Sequence, residues 1–234
     1  MDLSNQSRCF VQHFKNAFRR PTIERMRERF VAREAGQWSA KDERERQRIA
    51  IGAAPDDFRL DESWYDLWRD VDSSIVDRLH PYKWLLYPVH IRHLRADEHL
   101  VPWHQDAAYV ALMPRRHERL ITCFVPLEPD PTAGSTLEFA CGETPLLAHE
   151  RAGDHGAAIA EPPRGDLVRF DLAFGDALVF GDLTPHRTVA GRDGGIERRS
   201  FEFRLVQPEH ALTDKDYFDL ETRSFVRLSS QDRT

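Results

Sequence analysis

The rhythm of apolar and polar positions changes about a third of the way along the chain. Up to about Arg48 the sequence is polar and helix-prone, with Phe10, Phe14 and Phe18 recurring at helical spacing and Val11 beside them. Pro21 suits the first turn of a second helix over Ile23 to Ala35, where Met26, Phe30 and Val31 share one side. Arginines and glutamates are interspersed here, and Lys41 to Arg48 alternates in sign, which reads as a solvated helical face rather than a nucleic-acid arm. Gly52-Ala53-Ala54-Pro55-Asp56-Asp57 reads as a loop. Ser63 to Leu79 reads as one amphipathic helix, with Trp64, Leu67, Trp68, Val71, Ile75 and Leu79 on its buried face and Pro81 at its end.

Beyond Pro81 the texture is that of short strands punctuated by Pro, Gly and Asp. The runs are Trp84 to Leu94, Tyr109 to Leu112, Leu120 to Leu127, Ser135 to Ala140, Asp166 to Asp171, Ala177 to Phe180, Thr188 to Ala190 and Arg198 to Gln207. Such spacing predicts a two-sheet antiparallel sandwich or jelly roll. There is no βαβ alternation and no internal repeat. Ala148 to Gly165 is a polar loop of lid-like character that carries His149 and His155. Asp214 to Phe225 is expected to be a terminal helix or clasp, with loose residues after it.

The length of 234 residues suits one domain. The expected division is a mostly helical region over 1–82, a β core over 83–208 and a C-terminal helix or tail over 209–234. A hydrophobic fraction of 41% fits a folded chain. A net charge of -6 speaks against a general nucleic-acid binder. Cys9, Cys123 and Cys141 lack metal-ligand spacing and read as reduced thiols in a cytoplasmic protein. No apolar run approaches the roughly 20 residues that span a bilayer, and Met1-Asp2-Leu3-Ser4-Asn5 lacks a signal-peptide core.

The candidate chemistry begins at Trp103-His104-Gln105-Asp106. On an extended strand, positions i and i+2 share a face, so His104 and Asp106 can present imidazole and carboxylate together. A histidine from elsewhere would complete the two-His-one-carboxylate arrangement that holds Fe(II) with open positions. His186 is the candidate: it follows the turn and apolar strand Gly175-Asp176-Ala177-Leu178-Val179-Phe180, where one strand ends and another begins. Downstream, Arg198, Ser200, Glu202 and Arg204 alternate with Phe201, Phe203 and Leu205. If that polar face lines a barrel, Arg198 needs a carboxylate, which a bound dicarboxylate would supply with help from Ser200. If it is an exposed face, Glu202 pairs with a neighbouring arginine instead.

In this order, His104-x-Asp106, His186 and Arg198 resemble the Fe(II)/2-oxoglutarate-dependent oxygenases, and within them the phytanoyl-CoA dioxygenase-like family. Phe124-Val125-Pro126-Leu127-Glu128 followed by Ala133-Gly134-Ser135-Thr136-Leu137 resembles the family's apolar strand and the turn after it. Gly175 to Phe180 resembles the turn before its distal histidine. The resemblance covers about Trp84 to Gln207 and departs from the family at Gly142-Glu143-Thr144. It implies a mainly β fold, a double-stranded β-helix (jelly-roll, cupin-like) core with a helical N-terminal region. It also implies Fe(II) on His104, Asp106 and His186, with 2-oxoglutarate held by Arg198 and helped by Ser200 or Thr122. The implied reaction uses O2 to oxidise, typically to hydroxylate, with release of succinate and CO2. Asp106 speaks against chloride transfer, for which related enzymes carry a small residue there.

Substrate contacts are expected from Trp103, Tyr109, Arg92 and Arg204. The expected partner is a small molecule, such as an amino acid or a natural-product intermediate, with no membrane. The competing readings are a nucleic-acid-demethylating oxygenase and a jelly-roll binding or sensor protein without turnover.

Overall fold

The computed structural model describes residues 10–38, 58–111, 120–142, 145–151, 157–212 and 215–228. The expectations for Cys9, Lys41 to Arg48, the loop at 52–57, Glu143-Thr144, His155 and the last residues lie outside them.

The architecture is mainly β. The large sheet runs in the order β1 (Val11–Phe14), β9 (Ala177–Gly181), β4 (Ile121–Pro126), β11 (Arg198–Val206), β2 (Trp84–Tyr87), β12 (Asp216–Asp219), β13 (Ser224–Arg227), and β3 (His90–Leu94) also pairs with β11. Opposite it stands a small sheet of β10 (His186–Val189), β5 (Thr136–Cys141) and β8 (Asp166–Arg169). All the pairings are antiparallel. A cluster of Phe124, Leu137, Phe139, Leu172, Leu178 and Phe180 fills part of the space between the sheets.

The outer face of the large sheet is covered by helices. α1 (Arg20–Arg33) starts after Arg19, with Pro21 in its first turn, where a missing N–H costs nothing. It buries Ile23, Met26 and Phe30. The single helix expected over Ser63–Leu79 is instead broken. A 3₁₀ turn (Glu62–Tyr65) runs into α2 (Asp66–Arg69), and α3 (Ser73–Leu79) starts afresh because the Asp72 carboxylate accepts from Ser74 N. The apolar stripe survives the break. Trp64 packs on Phe201 and Trp68 on Phe203, with ring centroids 5.5 Å and 5.4 Å apart.

Four further expectations need correction. Phe10, Phe14 and Phe18 do not lie on a helix, because Val11–Phe14 pairs with β9. The run Trp84–Leu94 is two strands, because Pro88 has no N–H to give a ladder. Tyr109 lies in α4 (Asp106–Ala111), not in a strand. Asp216–Asp219 and Ser224–Arg227 form a hairpin on β2, so the terminal clasp is a β one. The polar stretch after β5 also carries a hairpin, β6 (His149–Arg151) with β7 (Ala157–Ile159).

The Gly175-Asp176 turn ties the N-terminal strand to this frame. Gly175 has φ +98, and a Cβ there would sit 2.8 Å from Phe18 O. The Asp176 carboxylate accepts from Asn16 N and Ala173 N at 2.8 Å and 2.9 Å and bonds the His13 ring at 2.7 Å. No helix among the described residues is long and apolar enough to cross a membrane.

Candidate metal and cosubstrate site

β11 divides its side chains between two environments. Phe201, Phe203 and Leu205 face the helices and are fully buried. Arg198, Ser200, Glu202 and Arg204 face the small sheet. In register with them stand Leu94, Arg92 and His90 of β3 on one side and Pro126, Phe124 and Thr122 of β4 on the other.

Into this chamber the chain brings His104, Asp106 and His186, all buried, with one ligand atom from each within 4.8 Å of the others. The route differs from the expected one. His104 and Asp106 do not share a strand. His104 forms an isolated antiparallel bridge to His186, their backbone N–H groups each donating to the other's carbonyl at 2.9 Å. Asp106 is the first residue of α4, fixed by Ala107 N donating to Asp182 O at 3.0 Å. Gln105 between them is fully buried, and its side-chain amide donates to Pro145 O (2.9 Å) and Leu183 O (2.6 Å) and accepts from Leu147 N (2.8 Å). Gln105 N also donates to the His149 ring at 3.1 Å.

The protonation states suit a cation. Each imidazole uses Nδ1 toward a backbone carbonyl at 2.9 Å, Pro102 O for His104 and Thr184 O for His186, which leaves Nε2 as the lone-pair atom. Burial, reinforced by the neighbouring His186, pushes His104 down to about 3, and burial lowers His186 as well, so both rings are neutral. Burial opposes ionisation of Asp106. The charge of Arg204 and the Thr122 hydroxyl oppose it, and the carboxyl lies below its ordinary value. Two neutral imidazoles and one carboxylate are the donor set of a non-haem Fe(II) site. Among the described residues this is the group of His, Cys, Asp and Glu that could hold a metal.

Arg198 is 3% exposed, and among the described residues no carboxylate forms an ion pair with it. Its Nη1 donates to Ser135 O at 3.3 Å, its guanidinium stacks 4.9 Å over Phe124, and its Nε has no partner. Desolvation pushes this guanidinium down to about 10. The Ser200 hydroxyl, two residues on, is fully buried and also without a partner. A buried cation and a buried hydroxyl left in this state fit an anion supplied from outside the chain, and a planar fork suits a carboxylate. Gly134 allows the arrangement. A Cβ there would meet Glu197 O at 2.2 Å, a clash at the residue next to Arg198.

The other expected residues fall as follows. Thr122 donates to Asp106 Oδ2 at 2.6 Å and accepts from Arg204 Nη1 at 2.8 Å, so its hydroxyl is engaged at the Asp106 carboxylate rather than at Arg198. Arg204 also donates to Asp106 Oδ1 at 3.2 Å. Arg92 lies on the chamber face, 3.7 Å from Glu202. Trp103 is half-buried under the Arg187 guanidinium at 4.7 Å, and its carbonyl accepts from Ile159 N at 2.7 Å. Tyr109 belongs to α4 by its backbone, and its side chain is outside the described set. Sequence reasoning missed Gln105, and it missed Glu202 as the anion at the chamber's centre. Glu202 is held well below the ordinary carboxylate range, where His90, Arg92 and Arg204 overcome its burial. Its alternation with Phe201 and Phe203 was the available signal.

The family model for phytanoyl-CoA dioxygenase (PhyH) matches residues 10–200. The chain belongs to that family. The match begins well before Trp84 and so takes in β1 and the N-terminal helices. Members of the family are Fe(II)/2-oxoglutarate-dependent oxygenases with O2 as cosubstrate, and the donor set and Arg198 of this PhyH chain fit both groups.

Solved structures share the fold. A non-heme monooxygenase, ThoJ in its apo form, is 19% identical with TM-score 0.61, over 88% of this chain and 78% of that one. EctD from S. alaskensis with 2-oxoglutarate and 5-hydroxyectoine is 11% identical with TM-score 0.53, over 90% and 78%. The non-heme alpha ketoglutarate dependent carbocyclase SnoK from nogalamycin biosynthesis is 14% identical with TM-score 0.52, over 95% and 83%. No curated protein sequence matches this chain.

Proposed function

We propose that this chain oxidises, by hydroxylation, a compact small molecule of the amino-acid or natural-product-intermediate kind, turning 2-oxoglutarate and O2 into succinate and CO2. The observation that carries the reading is the pairing, within one chamber, of the His104–Asp106–His186 group with a buried Arg198 that has no carboxylate. His104, Asp106 and His186 would hold Fe(II) by three positions, leaving the rest for exogenous ligands. Arg198 would take the 5-carboxylate of 2-oxoglutarate, with Ser200 donating beside it. When bound, the iron and 2-oxoglutarate supply O2 activation coupled to decarboxylation of the cosubstrate. The chain's own part is to bind, orient and exclude water.

Two features support a small, polar substrate over nucleic acid. The chamber carries mixed charge in Arg92, Glu202 and His90 rather than a positive stripe. On the outer surfaces many arginines are already paired: Arg169 and Arg187 with Glu138, Arg29 and Arg33 with Asp61, and Arg199 with Glu34 and Glu128. Arginines so engaged are poorly placed for the phosphate contacts that dominate nucleic-acid affinity. The names of EctD and SnoK associate the same fold with small molecules. The test is iron-dependent succinate release, with and without panels of amino acids and cyclic metabolites. Release should require Fe(II) and vanish in His104→Ala; a His104→Ala protein turning over at the wild-type rate would overturn the reading.

A further inference from the structure

We propose that Arg204 is a positioning residue for the metal-ligand carboxylate: through a closed ring with Thr122 it fixes the plane of Asp106 so that Asp106 presents a single oxygen to the metal. The proposal rests on the ligand assignment above and goes beyond it, because Arg204 supplies no ligand atom and acts through its bonds to Asp106 and Thr122.

The ring is read directly from the hydrogen bonds. Arg204 Nη1 donates to Thr122 Oγ1 at 2.8 Å, and the Thr122 hydroxyl donates to Asp106 Oδ2 at 2.6 Å. Arg204 Nη2 returns to Asp106 Oδ1 at 3.2 Å. Both carboxylate oxygens are therefore held, each from a different donor, and the side chain cannot turn without breaking one of them. Sheet pairing places the donors, since Arg204 and Thr122 are direct partners in the register of β11 and β4. Glu202 stands 3.6 Å from the same guanidinium nitrogen and holds it from the other side. The surroundings are buried, Thr122 at 1% and Asp106 at 4% exposure, so water does not compete for these bonds.

The chemical consequence follows from the lone pairs. An ionised carboxylate offers about four acceptor directions, and the ring takes one on each oxygen. A carboxylate free to rotate can chelate a metal through both oxygens and fill a position that 2-oxoglutarate needs. A plane fixed from two points favours one-oxygen ligation and keeps that position open. Arginine suits the task because its planar fork spans two acceptors, which an ammonium cannot do.

The test uses Co(II) as a spectroscopic probe of the full-length protein, with a His186→Ala control. Loss of the Co(II) visible spectrum in the control supports the underlying ligand assignment. Its retention would overturn that assignment, and the role of Arg204 with it. With the control behaving, Arg204→Met should change the Co(II) visible spectrum and weaken 2-oxoglutarate binding to the loaded protein, on the scale of the roughly 10–100-fold by which loss of a partner that orients a metal ligand lowers metal affinity or activity. Arg204→Lys should recover part of both. An Arg204→Met protein with the wild-type spectrum and wild-type 2-oxoglutarate affinity would overturn the proposal whatever its thermal midpoint, since a purely structural arginine moves only the latter. Thr122→Val breaks the ring from the other side and carries the same two readouts if Arg204→Met does not fold.

Discussion

Arg198 and Arg204 lie six residues apart on one face of one strand, yet they end in opposite states. Arg204 is fully engaged by Asp106, Thr122 and Glu202. Among the described residues Arg198 meets only a carbonyl and an aromatic face, and its Nε is left without a partner. One strand face thus carries a cation bound to the Asp106 carboxylate and a cation with no carboxylate partner among the described residues. Burial is costly for both unless paired, so a chain that keeps Arg198 unpaired points to a ligand that pairs it. Arg199 supplies the contrast from the outer face. One residue away, it is bound by Glu34, Glu128 and Glu197, and it ties the end of α1 to the sheet through Glu34.

The sharpest way to break this comparison is to remove the unpaired charge. Arg198→Met should weaken 2-oxoglutarate binding to the metal-loaded protein on the order of 100-fold, the scale of a buried charge pair losing one partner, with metal binding intact; calorimetric titration reads both. Arg198→Lys keeps the charge and loses the fork, so a deficit of about tenfold is expected in the same titration. Arg199→Met should leave 2-oxoglutarate affinity at the wild-type value and cost about 1 kcal/mol of stability in a denaturant melt. A large affinity loss there would mean that the assignment of the two neighbouring arginines is reversed.

The smallest effect concerns Asp182, buried beside the ligand set with an unpartnered Oδ1. Burial, with the nearby Asp106 charge, raises its carboxyl from 3.8 to about 6. Between those values the native state holds a proton that the unfolded chain has released. Its contribution to stability is therefore complete below about 3.8 and is lost as pH rises through about 6. In the metal-free protein, Asp182→Asn should remove this fall, read as the difference between thermal melts of the two proteins across that window.

The sequence carried most of this site and less of the fold around it. That His104 and Asp106 come together was legible from the His-x-Asp spacing, though for a reason that did not hold. Asp106 reaches the chamber by opening α4, whereas the spacing argument placed it on His104's strand. The inward set Arg198, Ser200, Glu202, Arg204 was legible because a period of two over nine residues is long enough to see. β1 was not legible, since four residues cannot display a period and the Phe10–Phe14–Phe18 spacing matches a helix by accident. The partner of Arg204 was hidden for a deeper reason. Which residue of β4 faces it depends on sheet register, a long-range property absent from local pattern. Gln105 gave no signal, because a glutamine between two ligands looks like any polar linker until the 145–149 segment folds over it.

The most direct measurement is an anaerobic titration of 2-oxoglutarate into the Fe(II)-loaded protein, followed by the visible charge-transfer absorption of an iron-chelated 2-oxo acid. The wild-type protein should develop the band at stoichiometric cosubstrate, His186→Ala should show none, and Arg198→Met should need far more 2-oxoglutarate to reach it. Absence of the band in the wild-type protein, or an undiminished band in His186→Ala, would contradict the assignment of this chamber.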